Sequence, residues 1–132
     1  MDQVEARALA LVGTEFRPQG RSAEGVDCAG LVLLACRLPI DDSRRDYRLR
    51  GDHWGELQPI IARHFRTVAV RLARAPQPGD LLVMAVRADQ VHLAIASTAG
   101  LIHADARIGR VVERPGPPPW PVIGVYRLRK GI

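Results

Sequence analysis

The chain has 132 residues, 47% of them hydrophobic and 25% charged, a composition typical of one globular domain with no room for a second. A chain of this length buries enough apolar surface to fold without disulfides or a structural metal. No stretch approaches the roughly 18 consecutive apolar residues of a membrane-spanning helix, and the start Met1-Asp2-Gln3-Val4-Glu5 is acidic where a secretory signal is basic. We therefore expect no membrane span and no signal peptide.

The net charge is +5, from 19 Lys and Arg against 14 Asp and Glu, and Lys130 is the one lysine. Such a charge suits an anionic partner, whether a wall polymer, an acidic protein surface or nucleic acid. The arginines, however, are spread from Arg7 to Arg129 with no run longer than two, whereas a nucleic-acid-binding arm clusters its charge. We expect a solvated basic surface and no nucleic-acid partner.

The first third of the chain predicts two helices around an ordered loop. Good helix formers alternate from Val4 to Val12, and Gly13 is expected to end this helix. Proline and glycine in Thr14–Asp27 indicate a loop with special backbone angles. The segment Cys28–Cys36 is apolar on every side, which predicts a buried helix.

The rest of the chain predicts a loop, a helix and then consecutive strands. Mixed charges in Pro39–Gly55 indicate an exposed loop, and Trp54–Phe65 has helical periodicity. The candidate strands are Thr67–Leu72, Leu81–Val86, His92–Ser97, Leu101–Ala106, Arg110–Arg114 and Val122–Leu128. Helices followed by short consecutive strands favour an α+β fold with an antiparallel sheet.

The two cysteines are expected to be free thiols. Eight residues of helix place the Cα atoms of Cys28 and Cys36 about 12 Å apart, and a disulfide needs less than about 7 Å. Cys28 begins the helix, beside its unpaired N–H groups and the positive end of its dipole, where the nucleophilic thiolate is favoured. The alternative is a small buried apolar residue, which is how we interpret Cys36. Asp27 is expected to cap the helix, and its carboxylate also suits contact with a substrate amine.

Two histidines lie on a predicted β-hairpin. With a four-residue loop from Ser97 to Gly100, Ala96 lies opposite Leu101 and every opposed pair of residue numbers sums to 197. His92 and His103 are then diagonal neighbours on one face, with Cα atoms about 7 to 8 Å apart. A slip of one residue would place them on opposite faces. We expect both imidazoles to share a face with Cys28.

A thiol nucleophile needs a general base and a second polar group that orients the base. His92 suits the first role and His103 the second. Zinc is the rival chemistry, because Cys28, His92 and His103 are also zinc ligands, with Asp105 in reserve. The spacing matches no zinc motif, so we expect no metal and no cofactor. We interpret the other two histidines, His53 and His64, as surface or packing residues.

Four segments together resemble the NlpC family of papain-like cell-wall cysteine peptidases, in the order and approximate spacing of that family. They are Asp27-Cys28-Ala29-Gly30-Leu31-Val32, Gln77-Pro78-Gly79-Asp80-Leu81, His92-Leu93-Ala94-Ile95 and Leu101-Ile102-His103-Ala104. The loop from Gly13 to Arg21 is most similar to the branch encoded with tail genes of phages and gene-transfer particles.

The resemblance implies a papain-like fold, with the nucleophile on a central helix packed against an antiparallel sheet. It further implies a peptidoglycan endopeptidase that cuts stem peptides, commonly between D-glutamate and the diamino acid. Cys28 would be the nucleophile, His92 the base and His103 the third member, and the N–H of Cys28 would help to form the oxyanion hole. Many relatives have tyrosine and serine where this chain has Phe16 and Ala29, positions associated with holding the stem peptide. These departures bear on which bond is cut.

The same resemblance implies where the protein acts. It would be made in the cytoplasm, carried on a phage-like tail beside hub or tip proteins, and act at the bacterial cell wall during DNA delivery. Two other functions remain open at this point. One is a structural plug of the tail tip with little activity, and the other is amidase or acyltransferase chemistry on the same scaffold.

Overall fold

A computed structural model describes residues 1–39, 54–70, 76–87 and 90–129. Most of the predicted loop Pro39–Gly55, including His53, lies outside these residues, as does the end of the predicted strand Thr67–Leu72. The helices are α1 (Gln3–Ala10), α2 (Cys28–Ala35) and α3 (Trp54–His64). The strands are β1 (Arg21–Ser22), β2 (Gly25–Val26), β3 (Phe65–Ala69), β4 (Leu81–Arg87), β5 (Gln90–Ala96), β6 (Gly100–Asp105), β7 (Arg110–Pro115) and β8 (Val122–Leu128).

Six strands form one antiparallel sheet in the order β3-β8-β4-β5-β6-β7, and β1 pairs with β2 in a separate small hairpin. The prediction of an α+β fold with an antiparallel sheet is confirmed. The strands β4 to β7 follow each other as neighbours, because short turns join them. The last strand, β8, instead inserts between β3 and β4. Within the described residues, no helix is both long and apolar enough to cross a membrane.

The sheet carries a hydrophobic cluster on each face, because alternate residues of a strand point to opposite sides. The larger cluster joins the strands to the helices and includes Val4, Ala8, Leu31, Val32, Ala35, Val83, Leu93, Ile95, Ile102 and Ala104. The smaller cluster comprises Leu82, Met84, Ala94, Ala96, Leu101 and Val125, with Trp120 and Val122 packed against it. The helices α1 and α2 therefore cover one face of the sheet.

Two predictions of secondary structure are wrong, one for a whole loop and one for a boundary between a helix and a strand. The segment Thr14–Asp27 was expected to be loop throughout, but it contains β1 and β2, and Glu15 and Phe16 each form an isolated bridge. The third strand begins at Phe65, which was expected to belong to the preceding helix. No glycine or proline separates α3 from β3, so the local pattern gives no stop signal at that point.

The segment Gln77–Leu81 has a structural role. Gly79 has a φ of +93°, a conformation that glycine adopts without strain. Asp80 is 1% exposed, accepts the backbone N–H of Gln77, and is bound by Arg127 through two hydrogen bonds of 2.8 and 2.9 Å. This ion pair, whose carboxylate is buried, ties the turn before β4 to the neighbouring β8.

Candidate active site

Cys28 is the first residue of α2, as predicted, and it is half-buried against the larger cluster. Asp27 is the N-cap, and its carboxylate accepts the N–H of Gly30 at 2.8 Å. An N-cap of this kind satisfies one of the four N–H groups that a helix start leaves unpaired. Cys36 is also a free thiol, but it is 4% exposed, and burial raises its pKa to about 12. The two cysteines therefore differ in environment, as the sequence predicts.

The small hairpin of β1 and β2 packs on the first turn of α2. Gly30 permits this approach, since a Cβ at that position would collide with the carbonyl oxygen of Gly20 and lie 3.3 Å from Nη1 of Arg21. The Arg21 guanidinium donates to Asp27 at 2.8 Å, and both side chains are buried. Arg21 is a site residue that sequence reasoning missed, because nothing in the local pattern indicates that it reaches back to the helix cap.

Replacing Gly30 with alanine should lower the free energy of unfolding by about 1 to 3 kcal/mol, because the added Cβ meets backbone that cannot rotate away. Urea titration followed by circular dichroism measures this change. Gly55 is the matched control, because it is exposed in α3 and no atom lies within 4 Å of the place that a Cβ would take. Gly55→Ala should be neutral or stabilising. Equal stabilities for the two variants would contradict the close packing of the hairpin on α2.

The histidine hairpin has the predicted register. Ile95 pairs with Ile102 and Ala96 with Leu101, so the opposed residue numbers sum to 197. His92 and His103 share a face, and Nε2 of His92 lies 2.9 Å from Nδ1 of His103. The rings meet edge to face, with centroids 5.1 Å apart. The prediction that the two imidazoles lie within reach of each other is confirmed.

Asp105 bears on the tautomers of the two rings. Nε2 of His103 lies 3.9 Å from a carboxylate oxygen of Asp105, which favours the tautomer with the proton on that nitrogen. In that tautomer Nδ1 of His103 is an acceptor, and Nε2 of His92 donates to it. The lone pair of a neutral His92 consequently lies on Nδ1. This is the arrangement of a general base oriented by a second ring.

Both imidazoles are neutral near pH 7. Burial, followed by the neighbouring His103, lowers the pKa of His92 from 6.5 to about 4. Burial also lowers the pKa of His103; Asp105 opposes this effect and Arg114 adds to it. A neutral His92 has a free lone pair for a proton, but a pKa of about 4 makes it a weak base, since general bases work best with a pKa near the working pH.

The buried histidines should make the fold less stable in mild acid. Between pH 6.5 and about 4 the unfolded chain binds a proton at His92 and the folded chain does not, so protons favour unfolding in this window. We expect the urea midpoint to fall as the pH is lowered from about 7 to about 4.5, and His92→Asn to weaken that dependence by on the order of 1 to 3 kcal/mol. Identical pH dependence in wild type and variant would contradict the lowered pKa of His92.

Trp120 belongs to this site, although nothing in the sequence singles it out. Its ring contacts both imidazoles edge to face, with centroids 5.3 Å from His92 and 6.5 Å from His103. It also packs against the smaller cluster. The indole thus covers the histidine pair on the face of the sheet away from the helices. No local signal marks Trp120, which lies in the proline-rich segment 17 residues beyond His103 in the chain.

The histidines and Cys28 approach the sheet from different sides. His92 pairs with Met84 and alternates with Leu93 and Ile95, so it belongs to the face opposite the helices. In the described strands, the pairing of β5 with β6 is confined to 95↔102 and 96↔101. The helix α2 contacts both of these strands. The expectation that both imidazoles lie on the face of the sheet that Cys28 occupies is thus not met by His92. That Cys28 forms one site with both histidines stays a prediction.

The remaining predicted site residues lie around α2. Ala29 is half-buried and packs against the larger cluster, as does Phe16, whose N–H donates to the carbonyl of Gly109.

His64 is half-buried at the end of α3, where its carbonyl accepts the N–H of Arg129, in keeping with a packing residue. In the described ranges of the chain, no three His, Cys, Asp or Glu side chains are grouped to hold a metal ion.

Comparison with known proteins adds no assignment. No family model matches the chain, and no curated protein matches its sequence.

Proposed function

We propose that this chain is a cysteine peptidase that cleaves peptidoglycan stem peptides, with the papain-like fold of the NlpC family. The single observation that carries the proposal is the 2.9 Å contact between His92 and His103. Together with Asp105 and Trp120, this contact supports the assignment of His92 as a buried, neutral base in a fixed orientation, in a fold whose helix α2 begins with a cysteine. The four sequence segments in family order support the same assignment.

In the proposed mechanism, His92 accepts the thiol proton of Cys28 at Nδ1, and the sulfur attacks the scissile carbonyl carbon. The protonated His92 then gives this proton to the nitrogen of the leaving amine, and an acyl-enzyme remains on Cys28. Water, deprotonated by His92, attacks the thioester and releases the carboxylate product. His103 keeps the His92 ring in the required orientation throughout, and the N–H of Cys28 donates to the developing oxyanion.

The proposed setting is the tip of a phage-like tail, where the enzyme opens the wall of a bacterium locally during DNA delivery. The bond between D-glutamate and the diamino acid is the proposed site of cleavage. The resemblance of the loop Gly13–Arg21 to the tail-encoded branch supports this setting. Tail hub or tip proteins are the proposed partners, and the basic surface suits contact with either these or the anionic wall.

Digestion of purified sacculi tests the proposal. The wild-type protein should release soluble peptide fragments, and the Cys28→Ala protein should release none. Circular dichroism establishes that both proteins are folded. Folded wild-type protein without activity on sacculi of a susceptible host would favour the structural plug, and cleavage of the lactyl-alanine bond would favour the amidase.

A further inference from the structure

The buried ion pair beside Cys28 has no part in the mechanism above. The side chains of Arg21 and Asp27 are 6% and 5% exposed. The Asp27 carboxylate accepts at least three hydrogen bonds, from the N–H groups of Gly30 and Gln19 and from the Arg21 guanidinium, at 2.8 to 2.9 Å. The Arg21 guanidinium also donates to the carbonyl of Gly20. Both charges are thus paired inside the protein.

This pairing bears on Asp27, the acidic residue that directly precedes Cys28 in the chain. An exposed carboxylate at this point would be suited to bind the ammonium group of a substrate. Here the guanidinium already neutralises it, and a second cation would have to displace a buried arginine that is fixed by hydrogen bonds on two sides. A substrate ammonium close to Arg21 would also meet a like charge.

We propose that Arg21 determines the substrate class by closing Asp27 to a free amino terminus, so that the enzyme cleaves stem peptides whose terminal amine is acylated. In the intact wall this amine is joined to the lactyl group of the glycan and carries no charge, whereas in released peptides it is an ammonium. The substrate is therefore the intact wall and not its turnover products. This inference rests on the proposed peptidase function.

Two forms of one stem peptide test the inference. The peptide contains the bond that digestion of sacculi shows to be cut, and its terminal amine is either free or acetylated. We expect the wild-type protein to cleave the acetylated peptide at least as well as the free-amine peptide. The kcat/KM for the free-amine peptide divided by that for the acetylated peptide should therefore be about one or lower. A ratio clearly above one would overturn the inference while leaving the peptidase intact. Failure to cleave either peptide or sacculi would instead refute the peptidase, and the inference would fall with it.

Substitutions at the pair give a second readout. Arg21→Gln leaves the carboxylate without its cation, and the ratio should rise by about tenfold or more toward the free amine. Arg21→Lys keeps the charge and should keep the wild-type ratio. An Arg21→Gln protein that folds with an unchanged ratio would contradict a role of Arg21 in specificity.

The Asp27→Asn variant tests the same inference even if the Arg21 variants do not fold. The weakened helix cap should lower the rates on both peptides together and leave their ratio unchanged. A selective loss of activity on the free-amine peptide would show that Asp27 binds the substrate amine in spite of Arg21, and would overturn the inference.

Discussion

Replacing Cys28 with alanine should reduce the release of peptide from sacculi by about 10⁴-fold or more, to the background rate. The reason is that His92 has no proton to accept and no thioester can form without the sulfur. Initial rates of amino-group release, measured at enzyme excess, quantify the loss. Cys28→Ser should be nearly as inactive, because a hydroxyl is far less acidic than a thiol and an imidazole with a pKa of about 4 is a weak base for it.

Cys36→Ala is the matched control for this loss. Cys36 is the C-cap of α2, at the opposite end of the helix from Cys28, and its pKa of about 12 keeps it protonated. We expect the Cys36→Ala protein to retain its kcat and to lose only stability, through the small cavity that the substitution leaves. Activity that survives Cys28→Ala but not Cys36→Ala would contradict the choice of nucleophile.

Replacing His92 with asparagine should lower kcat by about 10³-fold with little change in KM. Asparagine fits the same space and keeps a donor toward Nδ1 of His103, but it cannot take up a proton. The effect is therefore expected on chemistry and not on binding. Steady-state kinetics on the soluble stem peptide separate the two parameters.

Two further histidine variants complete this test. His64→Asn should leave kcat unchanged, because His64 lies at the end of α3 and takes no part in the pair. His103→Asn should be intermediate, since it removes the ring that orients His92 but not the base itself. A kcat for His92→Asn equal to that of wild type would exclude His92 as the base.

Elements with a strong local pattern could be predicted from the sequence. The loop Ser97–Gly100 has a defined length, which fixes the parity of the strands on either side and therefore puts His92 and His103 on one face. The start of α2 at Cys28 was predictable, because an N-cap residue precedes a run of apolar residues. Both features depend on residues close together in the chain.

Contacts between distant residues could not be predicted in this way. Trp120 reaches the histidines because β8 inserts between β3 and β4, and a pairing of that kind leaves no mark on local periodicity. Arg21 reaches Asp27 because residues 22 to 25 turn the chain back on itself, although the composition of Thr14–Asp27 is that of a loop.

Mass spectrometry of the fragments that the wild-type protein releases from purified sacculi tests the central claim most directly. We expect intact glycan chains and peptides that end at one new cleavage point within the stem, and we expect Cys28→Ala to release none of them. Cleavage of the glycan, or the same fragments from the Cys28→Ala protein, would contradict a cysteine peptidase that acts on the stem peptide.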